Sequence, residues 1–174
     1  LVRVLMNRPR EDGSPGRRFV EATRESNFLA LRDGTTGRGR LVTIVAFADV
    51  DNDGDLDAYT GTMPTAMPAA MQDADPGDRG TILLNDGHGV FSLGPESDAT
   101  PSADESPQTI GAVFNDQNLD GHVDLLVGYH SRVFGLAIGQ QSQMFRGSGD
   151  GRFTDVTDAV GMTLESTNSS LLTV

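Results

Sequence analysis

Two short stretches concentrate the groups able to do chemistry. Asp49, Asp51, Asp53, Asp55 and Asp57 fall within nine residues, and Asp116, Asn118, Asp120, His122 and Asp124 repeat that spacing 67 residues later. Counted from the first aspartate, oxygen-bearing side chains stand at positions 1, 3, 5 and 9, glycine (Gly54, Gly121) at 6, and Asp55 or His122 at 7. Alternate positions on a tightly curled loop point inward together, and the glycine permits the turn that returns position 9 to position 1. With a backbone carbonyl from position 7 and a bidentate last carboxylate, each loop offers about six hard oxygen donors, which a water completes to the shell calcium accepts. Magnesium prefers fewer protein ligands and a stricter octahedron, and zinc would want His or Cys. His122 stands where only the backbone is needed and reads as a bystander. The expectation is two Ca2+ sites, with loop 2 the weaker because Asn118 removes a charge.

Asx-turns, which Asp-Asn-Asp-Gly strings form without metal, are the alternative. Against them, like carboxylates repel by roughly 1 kcal/mol per pair at 4 Å in water and about 4 at a protein surface, so a metal-free loop 1 opposes its own folding. An EF-hand also begins D-x-D-x-D-G but needs glutamate at position 12 and flanking helices. Here position 12 is Thr60 or Val127, and the flanks read as strands. Binding energy at such loops is folding energy, which makes both sites structural rather than catalytic.

The elements that hold these loops follow from internal repetition. Leu41 to Asp57 and Gln108 to Asp124 align without a gap, and Leu83-Leu-Asn-Asp-Gly-His-Gly-Val-Phe91 matches the stretch from Met144 to Phe153. A looser copy of that hairpin runs from Leu5-Met-Asn7 through Asp12-Gly13 to Phe19, and Leu171 to Val174 resembles Leu41 to Ile44. The β-branched, aromatic-rich Leu41 to Ala48 reads as a strand, as do Asp57 to Thr62 and Asp124 to Tyr129, while Asn85-Asp-Gly-His-Gly is hairpin-turn chemistry. The best helical candidate, Phe19 to Leu31, is short and interrupted by polar residues, so helix content should be low.

A period in the sixties with about four short strands points to propeller blades. The expected fold is all-β, with blades of four antiparallel strands, about two and a half of them, in an incomplete or open propeller. Residues 1–40 form a partial blade and connection, residues 41–107 repeat 1 with its loop at 49–57, and residues 108–174 repeat 2 with its loop at 116–124 and the start of a next blade. A ring needs four to eight blades, so the parts belong to a longer chain, meet in an oligomer, or form an arc whose ends a partner covers.

Composition removes other classes. The 174 residues carry 13 basic and 25 acidic side chains, a net charge of −12, and no cysteine, which excludes a disulfide framework, thiol catalysis and cysteine-ligated zinc. All basic residues are arginine, and nine lie in the first 40 residues against five acids. So acidic a remainder repels nucleic acid, and the basic segment holds no nucleic-acid module. The longest apolar stretch, Leu41 to Ala48, is far short of the roughly 20 residues of a membrane helix. A chain opening Leu1-Val2-Arg3 reads as a mature or excised piece, compatible with a removed export signal.

The loops, the Gly111-Ala-Val-Phe114 strand and the Leu-Asn-Asp-Gly-His-Gly-Val-Phe hairpin resemble FG-GAP/VCBS repeats, the blades of integrin-α-type β-propellers. Phe153-Thr-Asp-Val-Thr-Asp-Ala-Val-Gly161 is similar to the stretch joining such repeats in cartilage-acidic-protein-like bacterial proteins. Carried over residue by residue, the resemblance implies calcium at Asp49, Asp51, Asp53, Asp55 and Asp57, and at Asp116, Asn118, Asp120, His122 and Asp124, with position 7 acting through its backbone oxygen.

No catalytic set emerges. His88, His122 and His130 lack a nucleophile at diagnostic spacing, no G-x-S-x-G, P-loop or dinucleotide fingerprint occurs, and Asp73, Asp75, Asp78, Asp104 and Glu105 sit in Pro- and Gly-rich loops. Met63 to Met71 and His130 to Gly139 occupy equivalent places after the two acidic loops and read as contact surfaces, or, for the second, as a strand or loop packed on the next blade. The expected function is a calcium-binding, non-catalytic, secreted or cell-surface propeller segment for adhesion, ligand binding or assembly. Its partners would be a protein or glycan ligand or neighbouring subunits, with no nucleic acid and no membrane span. The alternative is a propeller module of a secreted hydrolase whose catalytic residues lie outside this chain.

Overall fold

The computed structural model describes residues 2–32, 42–62, 79–100, 109–129 and 140–163. These are all-β: ten strands in antiparallel sheets, with no helix among the described residues. Strands β1 (Leu5–Pro9) and β2 (Arg17–Glu21) form a hairpin. Strands β3 (Val42–Ala48), β4 (Asp57–Thr62), β5 (Thr81–Asn85) and β6 (Phe91–Leu93) form a four-stranded meander. Strands β7 (Thr109–Asn115), β8 (Asp124–Tyr129), β9 (Gln143–Gly147) and β10 (Phe153–Asp155) form a second.

The two meanders are copies. Both first strands carry an irregularity at the same place, between Val42 and Ile44 and between Thr109 and Gly111. The register also sharpens the hairpin alignment: Asn85 pairs Phe91 as Gly147 pairs Phe153, which sets Ile82, not Leu83, opposite Met144. The hairpin β1–β2 is the outer half of the same unit, since Asn7 pairs Phe19. Phe19 to Leu31, the best helical candidate, holds the end of β2 followed by turns over Thr23 to Leu29. Positive φ at Asn27 breaks any helical run there, a conformation asparagine tolerates.

Burial follows the stacking of these units. One core joins Tyr59 and Ile82 of the first meander to Leu125, Val127, Phe145 and Phe153 of the second. Another joins Ala58, Leu83 and Phe91 to Phe28, with Val4 and Leu29 against it, and the Phe28 and Phe91 rings meet edge to face at 5.0 Å. Sheet β3–β6 is thus packed on both faces, which is why every residue of β4 is buried. First strands β3 and β7 lie against each other, and Thr43 Oγ1 donates to the Thr109 carbonyl oxygen at 3.1 Å. Both acidic loops consequently emerge at the same end of adjacent sheets.

Candidate metal centre

The acidic loops are shaped by their own backbone amides. Asp49 accepts from Asp53 N at 3.1 Å and Gly54 N at 3.0 Å; Asp116 accepts from Asp120 N and Gly121 N at the same distances. Asp53 accepts from Asp55 N and Asp120 from His122 N, both at 2.9 Å. Backbone conformation repeats as well, with positive φ at Gly54 and Gly121 and at position 4, Asn52 and Leu119, each with φ 59°. Glycine is required at position 6 because the curl needs that φ. Leucine at 119 is the costly choice, by roughly 1–2 kcal/mol.

The ninth position anchors each loop to its sheet. Asp57 accepts Val50 N on Oδ2 at 2.9 Å and Asn85 N of β5 on Oδ1 at 2.8 Å. Asp124 does the same with Gln117 N and Gly147 N of β9, both at 3.0 Å. These two carboxylates are buried, at 0% and 1% exposure, so each braces a loop and an adjacent strand at once.

In loop 1 the side chains converge. One carboxylate oxygen from each of Asp49, Asp51 and Asp57 lies within 4.8 Å of the others. Asp51 Oδ1 is buried and has no hydrogen-bond partner. Burial raises the Asp51 carboxyl above its ordinary value, helped by the charges of Asp53 and Asp49. Burial also raises Asp57, with the charges of Asp51 and Asp53 adding and the amides of Asn85 and Val50 opposing. Three carboxylates drawn together, two with their charged forms disfavoured and one holding an orphaned buried oxygen, fit a hard cation. Asp53 and Asp55 stand outside this group of three.

Loop 2 has the same backbone but a different side-chain arrangement. Asn118 Nδ2 donates to Asp120 Oδ2 at 2.7 Å, and Asn118 Oδ1 accepts from Asp120 N at 3.1 Å. The His122 amide, followed by Asn118, holds the Asp120 carboxyl below its ordinary value. Among the described residues, no second group of three acidic ligands forms here. The position that supplies the converging Asp51 carboxylate in loop 1 is here the neutral amide of Asn118, which turns to Asp120.

Position 7 has a second role that sequence reasoning missed. A Cβ at Gly87 would collide with the Asp55 carboxylate, and one at Gly149 with the His122 ring. Each position 7 side chain therefore lies on the hairpin turn of its own sheet, at a glycine whose φ is positive. Asn52 Nδ2 also contacts His122 Nδ1 at 2.9 Å, so the tip of loop 1 touches loop 2. The fixed placing of Gly87 and Gly149 in the two hairpins was the available signal. Asn52 had none, because its partner is 70 residues away. His88 sits in the turn, its amide donating to Asp86 Oδ1 at 2.9 Å. Outside the described residues lie His130, Asp73, Asp75, Asp78, Asp104, Glu105 and the two insertions, 63–71 and 130–139.

No family model matches the chain, and no curated protein matches it. Among the described residues, no helix is long and apolar enough to cross a membrane.

Proposed function

We propose that this chain is a calcium-stabilised, non-catalytic segment of an FG-GAP/VCBS-type β-propeller that acts outside the cell in adhesion, ligand binding or surface assembly. The observation that carries the reading is the convergence of Asp49, Asp51 and Asp57 around the unpartnered, buried Oδ1 of Asp51. Oxygen-only donors on a curled loop suit calcium, and millimolar extracellular calcium suits low-affinity loops of this kind. Asp57 links the ion to the fold, because the same carboxylate holds β5 through Asn85. Loop 2 is the weaker site on this reading, since Asn118 replaces a charged ligand and binds Asp120 instead.

Calorimetric titration with calcium, paired with thermal melting in calcium and in excess chelator, tests this directly. Heat of binding should appear, its stronger phase lost in Asp51→Ala while the weaker phase of loop 2 stays, and chelation should lower the melting temperature by several degrees, since a ligand bound only to the native state stabilises it. An unchanged melt in a chain shown to be ion-free would sink the proposal.

A further inference from the structure

We infer that the edge of β1 left unpaired among the described residues, together with the exposed row on β3, is the docking surface for one strand–acidic loop–strand segment of a further repeat. The last aspartate of that segment accepts the Asn7 N–H. This extends the proposed function and rests on strand pairing, not on the ion.

The inference comes from comparing three copies of one unit. Hairpins β1–β2, β5–β6 and β9–β10 share a register, with Asn7, Asn85 and Gly147 paired to Phe19, Phe91 and Phe153. They close alike at their base: Val4 N donates to Thr23 Oγ1 at 2.9 Å as Met144 N donates to Thr157 Oγ1 at 3.0 Å. On their other edges β5 and β9 are paired with β4 and β8, whereas β1 is paired with β2 alone among the described residues. Asn85 N and Gly147 N each donate to the ninth-position aspartate of an acidic loop. Asn7 holds that place in β1.

A second observation points to the same segment. Val45 and Phe47 on β3 are 40% and 55% exposed, while Ala112 and Phe114, their counterparts on β7, pack into the core beside the first meander. A strand lying beside β3 as β3 lies beside β7 would cover both, and the same segment would reach the β1 edge. Charge agrees with an acidic occupant: Arg8 and Arg18 of the hairpin are ion-paired to Glu25 and Glu11, but Arg17 stands on the edge itself, its Nη2 donating to the Asn7 carbonyl oxygen at 2.6 Å. Strand addition to an open edge is a common recognition mode, and an edge left bare invites it.

The test extends the full chain after Val174 by a flexible Gly/Ser linker of about 30 residues, reaching on the order of 30 Å, and a second copy of residues 109–129. Amide hydrogen exchange at Leu5 and Asn7 should slow at least tenfold relative to the unextended chain. Changing the last aspartate of the added copy to alanine should return Asn7 toward its original rate. Asn7→Pro, which removes the donor, should abolish the slowing at Leu5, and Asn7→Ala, which keeps it, should not. Equal exchange with and without the added strands overturns the inference, as does slowing that survives Asn7→Pro. Self-association of the unextended chain that slows Leu5 and Asn7 assigns the edge to a second copy and also overturns it.

Discussion

At the residue scale, Asp57 joins fold and site. Its two oxygens accept amides from Val50 and Asn85 while one of them faces Asp49 and Asp51. Asp57→Asn puts an NH2 where an acceptor stood, leaving a buried donor unsatisfied at a cost of about 1–3 kcal/mol. For a chain of this size that lowers the melting temperature by roughly 2–4 °C per kcal/mol in chelator, and by more in calcium, where a charged ligand is lost as well. Asp51→Asn, whose Oδ1 meets no protein donor, should weaken calcium binding without lowering the chelated melt. The pH dependence has opposite signs in the two states. With no ion bound, burial raises Asp51 and Asp57, so their stability contribution is whole below the unfolded value and is lost as pH rises through the folded one. Mild acidification from pH 7 to about 4.5 should therefore steady the chelated chain. The calcium-loaded chain should weaken over the same range, because protons compete for its ligands. Melting curves across that window in both states check the crossing.

At the element scale, the hairpin turns are fitted to the acidic loops. Gly87 and Gly149 have positive φ and no room for a Cβ, being pressed by Asp55 and His122 respectively. Gly149→Ala should cost more than the roughly 1–2 kcal/mol of the backbone conformation alone, and His122→Ala should relieve part of it. A double-mutant cycle by urea unfolding reads the coupling. By contrast Gly13, with a similar φ in the first hairpin, has open space around it, so its substitution should cost the conformational term only. Strand identity and the acidic loops were legible in the sequence, since β-branched runs and a 67-residue repeat mark them directly. The fit of position 7 onto the turn left only the fixed placing of Gly87 and Gly149 as a trace, because it depends on how two segments about 30 residues apart meet.

At the scale of the whole molecule, exposure follows position in the stack rather than residue type. Phe19, Phe91 and Phe153 hold one structural place, yet they are 72%, 8% and 2% exposed. Phe91 is covered by Phe28 of the unit before it and Phe153 by the first meander, while among the described residues no unit precedes Phe19. Phe153→Ala should cost about 3–5 kcal/mol, and Phe19→Ala about 0.5 or less. Urea denaturation of the two variants measures the difference; equal losses would mean that the hairpin is packed in solution.

By itself the sequence determined the local chemistry: which segments extend, where glycine turns the chain, and which oxygens gather within nine residues. Those properties are set by neighbours in the chain, so spacing reveals them. Tertiary structure alone decided that Asn52 at the tip of loop 1 meets His122 of loop 2, and that phenylalanines in one structural place are buried or bare. Such outcomes depend on which surface each repeat meets, and a repeat carries no record of its neighbour.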